Sequence, residues 1–176
     1  QLLWDGDKEK WDKKVKEGEA IKSPHGYLIS DPSGLLIEYI NQEQMPRIKV
    51  NQTESKLGTC YGLGIELLDL KKGHLFYSEL GFEVVMGTVD SGWLVLGNKD
   101  GFKISMMKYG SCPHLFFSPS LSFFNGKEGN PKIIEGLRQA GVPFAEEITH
   151  FNTEGIVDNV IVREPGGLGF FVFNDG

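Results

Sequence analysis

Asp31-Pro32-Ser33-Gly34-Leu35-Leu36-Ile37-Glu38 has a second version near the other end of the chain, Glu164-Pro165-Gly166-Gly167-Leu168-Gly169-Phe170-Phe171. In both, an acid, a proline and a glycine punctuate a turn, and the aliphatic or aromatic residues after them read as a strand. A phrase of this kind repeated within one chain points to a fold built from duplicated modules. The two versions differ at the last position, where Glu38 offers a carboxylate to a metal and Phe171 offers nothing.

Working outward from the first turn, Gly26 to Ser30 and Leu35 to Asn41 read as its flanking strands. Residues 1 to 22 are charge-rich, with Asp5 or Asp7 as a cap and Trp11, Val15 and Ala20 near helical spacing, which predicts a weakly amphipathic helix. Residues 42 to 57 are polar, contain Pro46 and read as a linker. From Cys60 onward Leu63, Ile65 and Leu67 alternate with Gly62, Gly64 and Glu66, as on the two faces of a strand. A helix from Leu70 to Leu80 follows, capped by Asp69 and stopped by Gly81. Phe82 to Met86, Gly92 to Leu96 and Phe102 to Met107 then supply three strands, giving the order βαβββ.

A second block repeats that order. Leu121 and Phe123 alternate with Ser120 and Ser122, and a helix with Ile133, Ile134, Leu137 and Ala140 on its apolar face follows. Asn130 is its expected cap, Pro131 its first turn and Gly141 its end. Strands over Phe144 to Ile148, Val157 to Val162 and Leu168 to Phe173 complete the block, the last two flanking the second turn.

Composition narrows the function classes. The chain of 176 residues is 40% hydrophobic and 24% charged, enough for a core without external staples. The net charge of −6 argues against nucleic acid, which selects clustered Lys and Arg. No apolar run approaches the roughly 18 residues of a membrane helix, and no signal-peptide pattern opens the chain, so a cytosolic protein without a membrane partner is expected. The chain begins at Gln1, as a trimmed or processed product or a fragment would. Cys60 and Cys112 lack Cys-x-x-Cys spacing and read as ordinary reduced thiols.

Asp69-Leu70 followed by Phe76-Tyr77-Ser78-Glu79-Leu80-Gly81-Phe82, then Leu137-Arg138-Gln139-Ala140-Gly141-Val142-Pro143-Phe144, together with the two acid-Pro-x-Gly turns, resemble the vicinal oxygen chelate superfamily of glyoxalases, bleomycin-resistance proteins and extradiol dioxygenases. The resemblance implies an α+β fold in which paired βαβββ modules form a curled mixed sheet around a cavity. It covers residues 58 to 176 as a full pair of modules. Residues 1 to 41 resemble the closing helix and two strands of a further module, whose open edge is expected to be covered by the rest of the domain, an upstream segment or a second copy of the chain, a homodimer being expected if Gln1 is the real start.

Metal-using members of that superfamily place ligands on cavity-facing strand positions. By resemblance these fall near Gly62, Ser105, Ser120 and Phe171, none of which is a conventional ligand, so no metal and no cofactor are expected in residues 58 to 176. Glu38 matches a closing ligand position, with an ordinary strand glutamate as the alternative. His25, His74, His114 and His150 share no spacing, and no nucleophile–base pair is legible.

The resulting expectation is a metal-free small-molecule-binding domain similar to the bleomycin-resistance branch, with Glu66, Lys103, Ser105, Ser120, Ser122, Phe124, Phe171 and Phe173 facing the ligand. Glu66 would orient a cationic group of the ligand, or else be solvated or paired with Lys103. Two alternatives stay open. One is the non-catalytic part of a metal-dependent lyase, isomerase or ring-cleaving dioxygenase, with Glu38 belonging to an active upstream domain. The other is a purely structural module.

Overall fold

In the computed structural model, which describes residues 2–4, 8–41 and 55–174, both versions of the repeated phrase close in the same way. Asp31 N–H donates to the Leu35 carbonyl at 2.9 Å and Gly34 N–H to the Asp31 carbonyl at 3.0 Å; Glu164 N–H donates to Leu168 and Gly167 N–H to Glu164 at 3.0 and 2.9 Å. The acid side chain holds each turn: Asp31 Oδ1 accepts from the backbone of Ser33 and Leu35, and Glu164 Oε1 accepts from the backbone of Leu168. The glycine is obligatory, because φ is +90° at Gly34 and +102° at Gly167.

The same turn occurs a third time. Asn98 N–H donates to Phe102 O, Gly101 N–H to Asn98 O, and the Asn98 side chain accepts from Asp100 and Phe102. Asn98-Lys99-Asp100-Gly101 lacks the proline, which is why the sequence does not announce it.

Each turn joins the last two strands of one module. The first comprises β1 (Leu2–Trp4), α1 (Lys8–Lys16), β2 (Ile21–Lys22), β3 (Gly26–Ser30) and β4 (Leu36–Asn41). The second comprises β5 (Cys60–Leu67), α2 (Leu70–Glu79), β6 (Glu83–Thr88), β7 (Trp93–Gly97) and β8 (Lys103–Lys108). The third comprises β9 (Ser120–Phe124), α3 (Gly126–Gln139), β10 (Phe144–Ile148), β11 (Asn159–Arg163) and β12 (Gly169–Phe173). In all three the last strand runs parallel to the first and lies beside it, with sheet orders β1-β4-β3-β2, β5-β8-β7-β6 and β9-β12-β11-β10. A parallel return of this kind needs a crossover, which the helix provides.

Two compact units result, Gln1–Gln52 and Thr53–Gly176, divided within the expected 42–57 linker, most of which lies outside the described residues, as do Asp5 and Asp7. The first unit departs from expectation. It supplies all five elements of the module in abbreviated form, and its four strands pair with one another. β1 and β2, of three and two residues, are too short for periodicity to register. Its core is Trp11, packed 5.7 Å from the Tyr27 ring and 4.9 Å from that of Tyr39, and Ala20 is buried beyond the helix end.

In the second unit β5 and β9 pair antiparallel, fusing two modules into one open eight-stranded mixed sheet. Alternation along each strand divides its faces. Ile65, Leu67, Ile104 and Met106 are buried, and Gly73 of α2 sits directly against Leu67 and Met106. On the same side of the other module Val160 and Val172 pack on Ile134 and Leu137 of α3. Each such side chain contributes about 1.5–3 kcal/mol by leaving water. The opposite face is left to line a cavity.

Asp69 caps α2 as expected, accepting from Lys72 N at 3.0 Å, and Gly81 at φ +84° ends it. The α3 start is different. The helix begins at Gly126, so Asn130 is an interior, fully buried residue and not the cap. Its amide accepts from Asn125 Nδ2 and donates to the Asp158 and Val172 carbonyls, clasping α3 to the strands below. Pro131, the sixth residue of the helix, is likewise interior and removes one helical hydrogen bond.

Candidate functional site

The cavity, of about 460 Å³, lies wholly within the second unit. Its wall is the free face of the eight-stranded sheet: Gly64 from β5, Ser105 and Met107 from β8, Trp93 and Val95 from β7, Ser122 and Phe124 from β9, and Phe171 and Phe173 from β12. Among its described lining residues there is no Asp, Glu, Lys or Arg.

The aromatic side is tightly organised. Phe171 and Phe173 stack with ring centres 5.6 Å apart and planes 8° from parallel, and Phe116 meets Phe171 at 4.9 Å. Tyr61 packs on Phe124 at 4.4 Å. Of the eight residues expected to face a ligand, the structure places Ser105, Ser122, Phe124, Phe171 and Phe173 in the wall. Ser120 is fully buried beneath it, its hydroxyl donating to the Gly64 carbonyl at 3.2 Å.

Glu66 does not line the cavity. Its Oε1 accepts from Gly110 N–H at 3.2 Å, outside the wall. Nor does it pair with Lys103: the register sets Glu66 opposite Met107 and Lys103 opposite Gly62, four residues apart along paired strands and thus about 13 Å distant. The Lys103 ammonium instead sits 4.2 Å over the Tyr61 ring centre.

Several wall residues were not legible in the sequence. Tyr61 arrives through a bulge between Cys60 and Gly62, and Met86 through a bulge between Val84 and Met86; an extra residue reverses the alternation that pattern reading assumes. His114 comes from the segment joining β8 to β9, which has no periodicity; Phe116, from the same segment, belongs to an adjacent pair with Phe117 that reads as core with one ring able to line a cavity. Carboxylates from both modules hold this segment, Glu66 at Gly110 and Glu146 at Leu115 N–H, the latter at 2.6 Å.

His114 is a titratable group in the wall. Its Nδ1 lies 2.8 Å from the Leu115 carbonyl, which can only accept, so Nδ1 carries the proton in the neutral ring. Cys112 Sγ lies 3.2 Å from Nε2 and 3.5 Å from Nδ1, and so flanks the carbon between them without aligning on either nitrogen as a base would require. Burial pushes the His114 pKa below its ordinary value, against the opposing pull of the Leu115 carbonyl and Glu146; burial also raises the Cys112 thiol. The pair is a packed thiol and a neutral imidazole.

The strand register fixes which residues would meet a metal in this frame. Gly64 pairs with Ser105 as Ser122 pairs with Phe171, and the β5–β9 seam pairs Gly62 with Ser122 and Gly64 with Ser120. The two-fold relation between modules carries Gly62 onto Ser120 and Gly64 onto Ser122 alike, and it is the direct pairing with Ser105 and Phe171 that singles out Gly64 and Ser122, two residues along from Gly62 and Ser120. Gly64, Ser105, Ser122 and Phe171 offer two hydroxyls and neither imidazole nor carboxylate, a set that does not fit a divalent metal. Among the described residues no group of three or more His, Cys, Asp and Glu is placed to hold one. Glu38 is half-buried on β4 opposite Leu28, in the position of the first turn that Ser105 and Phe171 occupy in the other two.

Solved structures share this architecture. The 2,3-dioxygenase LapB from Pseudomonas sp. KL28 superposes with a TM-score of 0.56 at 16% identity, over 96% of this chain and 67% of that one. A variant homoprotocatechuate 2,3-dioxygenase from B. fuscum, in complex with HPCA, gives 0.51 at 14% over 96% of this chain and 53% of that one. A glyoxalase/bleomycin resistance protein/dioxygenase superfamily member from Vibrio splendidus 12B01 gives 0.44 at 16% over 62% and 93%. The chain shares the fold of the two dioxygenases, the vicinal oxygen chelate fold. No family model and no curated protein sequence matches it. Among the described residues no helix is long and apolar enough to cross a membrane.

Proposed function

We propose that residues 55–174 bind a small, largely apolar molecule in the cavity without the help of a metal. The observation that carries this reading is the convergence of Gly64, Ser105, Ser122 and Phe171 on one wall, where the frame would present metal ligands, amid aromatic and methionine side chains. Such a wall gains affinity from apolar burial and ring contacts, while Ser105 and Ser122 supply the few polar groups that fix orientation. Phenylnaphthylamine, a neutral aromatic whose fluorescence rises in apolar surroundings, tests it. Chelator-treated protein should bind one equivalent saturably, and Ser122→Phe, which fills the cavity, should abolish binding. Binding that survives Ser122→Phe, or that requires added zinc, iron or manganese, would overturn the reading.

A second reading is supported by Glu38 and by the N-terminal βαβββ module, which together with the rest of the chain spans about two thirds of LapB and half of the homoprotocatechuate enzyme. In it, the second unit is the non-catalytic part of a metal-dependent enzyme and Glu38 belongs to the metal-bearing part. Stoichiometric metal lost on Glu38→Gln, with cavity binding retained, would favour it.

A further inference from the structure

Lys103 is half-buried on β8, two residues before the wall residue Ser105 and on the same strand face. Its ammonium rests on the Tyr61 ring, and Tyr61 is itself part of the cavity wall. On its other side Lys103 borders a second concavity of about 340 Å³ between the start of β6 and the Asn98–Gly101 turn, where Glu83 and Lys99 are the other charged groups. Among the described residues no carboxylate pairs with Lys103. An ammonium ion partly withdrawn from water normally has a counter-ion, since desolvation of an uncompensated charge is costly. A ring face compensates only part of that cost. The nearest carboxylate on the same sheet face, Glu83, stands two strands away across Gly97 on the rim of that concavity and forms no ion pair with Lys103, and Glu66 is bonded to Gly110 at the far end of β5. The molecule thus presents an uncharged aromatic cavity with, at its border, a cation held on a ring face and without an ion-pair partner among the described residues.

We propose that the ligand of this cavity is an amphipathic anion, with a ring-bearing apolar body among Phe124, Phe171, Phe173 and Trp93 and a carboxylate, sulfonate or similar group paired with Lys103. The inference rests on the cavity being the binding site, as argued above, and adds the sign and position of the ligand's charge. It also gives the Tyr61 bulge a purpose: the ring holds the Lys103 stem at the cavity border, so the ammonium is positioned before the ligand arrives.

Two probes with the same rings separate this inference from the one beneath it: anilinonaphthalene sulfonate, which is anionic, and phenylnaphthylamine, which is neutral. Wild-type protein should bind the sulfonate roughly 5- to 20-fold more tightly, between the effect of an exposed ion pair and that of a charge-assisted bond. The ratio should shrink with added salt. Lys103→Met keeps the aliphatic stem and removes the charge, and should bring the ratio to about one; Lys103→Arg should preserve it. Equal affinities in the wild type, or a ratio unaltered by Lys103→Met, would overturn the anion assignment while leaving the cavity as a binding site. Loss of both probes from the wild type, or binding of both that persists in Ser122→Phe, would overturn the cavity reading itself.

Discussion

His114 shows how much a single side chain departs from its sequence prior. Its spacing from the other histidines carries no signal, yet its ring meets Phe171 at 5.5 Å and Phe173 at 5.1 Å in the cavity wall. Because burial lowers its folded pKa, the unfolded chain takes up the proton first as pH falls. The neutral ring therefore contributes fully above its ordinary value of about 6.5, and that contribution is lost as pH drops through the window between 6.5 and the depressed folded value. Glu146 and Glu66 moderate the shift and His150 adds to it. Thermal unfolding measured from about pH 8 to about pH 5 should show the wild type losing more stability than His114→Phe; parallel curves would remove His114 from the pH response. Five of the eight residues expected on the cavity side by strand alternation do face the cavity. Tyr61, Met86 and His114 were not legible, because two bulges and an aperiodic segment break that rule.

At the scale of the element, strand and helix identities were legible and boundaries depended on local competition. Asn130-Pro131 matches a cap followed by a first helical residue, but two buried carbonyls and the Asn125 amide draw the Asn130 side chain inward, and the helix runs on back to Gly126. Asn130→Leu should therefore cost about 2–4 kcal/mol, read from urea unfolding, because it strands several buried polar partners at once. Glycines divide by conformation. Gly101 at φ +81° and Gly167 at φ +102° hold two copies of the repeated turn, and alanine at either should destabilise by about 1–2 kcal/mol. Gly136 is exposed in α3 with open space at its Cβ, so Gly136→Ala should stabilise by about 0.5–1 kcal/mol. A shift of the same sign at all three positions would show that turn geometry is not what selects glycine.

On the scale of the whole molecule, the fold is a frame whose register was only partly visible in the sequence, since pairing between modules is long-range and a two-residue offset leaves alternation intact. The offset has a direct test. Gly64→His, Ser122→His and Phe171→Glu combined should create a site for zinc or manganese, seen as stoichiometric metal after dialysis and a rise in Tm on metal addition, whereas Gly62→His, Ser120→His and Phe171→Glu combined should not. Metal retention by the second set alone would show that the register assigned to the wall is wrong. The cavity also has an optical consequence. Trp93 stands in its wall and is 39% exposed, while Trp11 is buried between two tyrosines of the N-terminal sheet. Displacing water from the Trp93 indole shifts its emission to shorter wavelength, and a Trp93→Phe variant separates that shift from the emission of Trp4 and Trp11. The protein thus carries an intrinsic reporter of occupancy, one that lets unlabelled, colourless compounds be screened without any reporter dye.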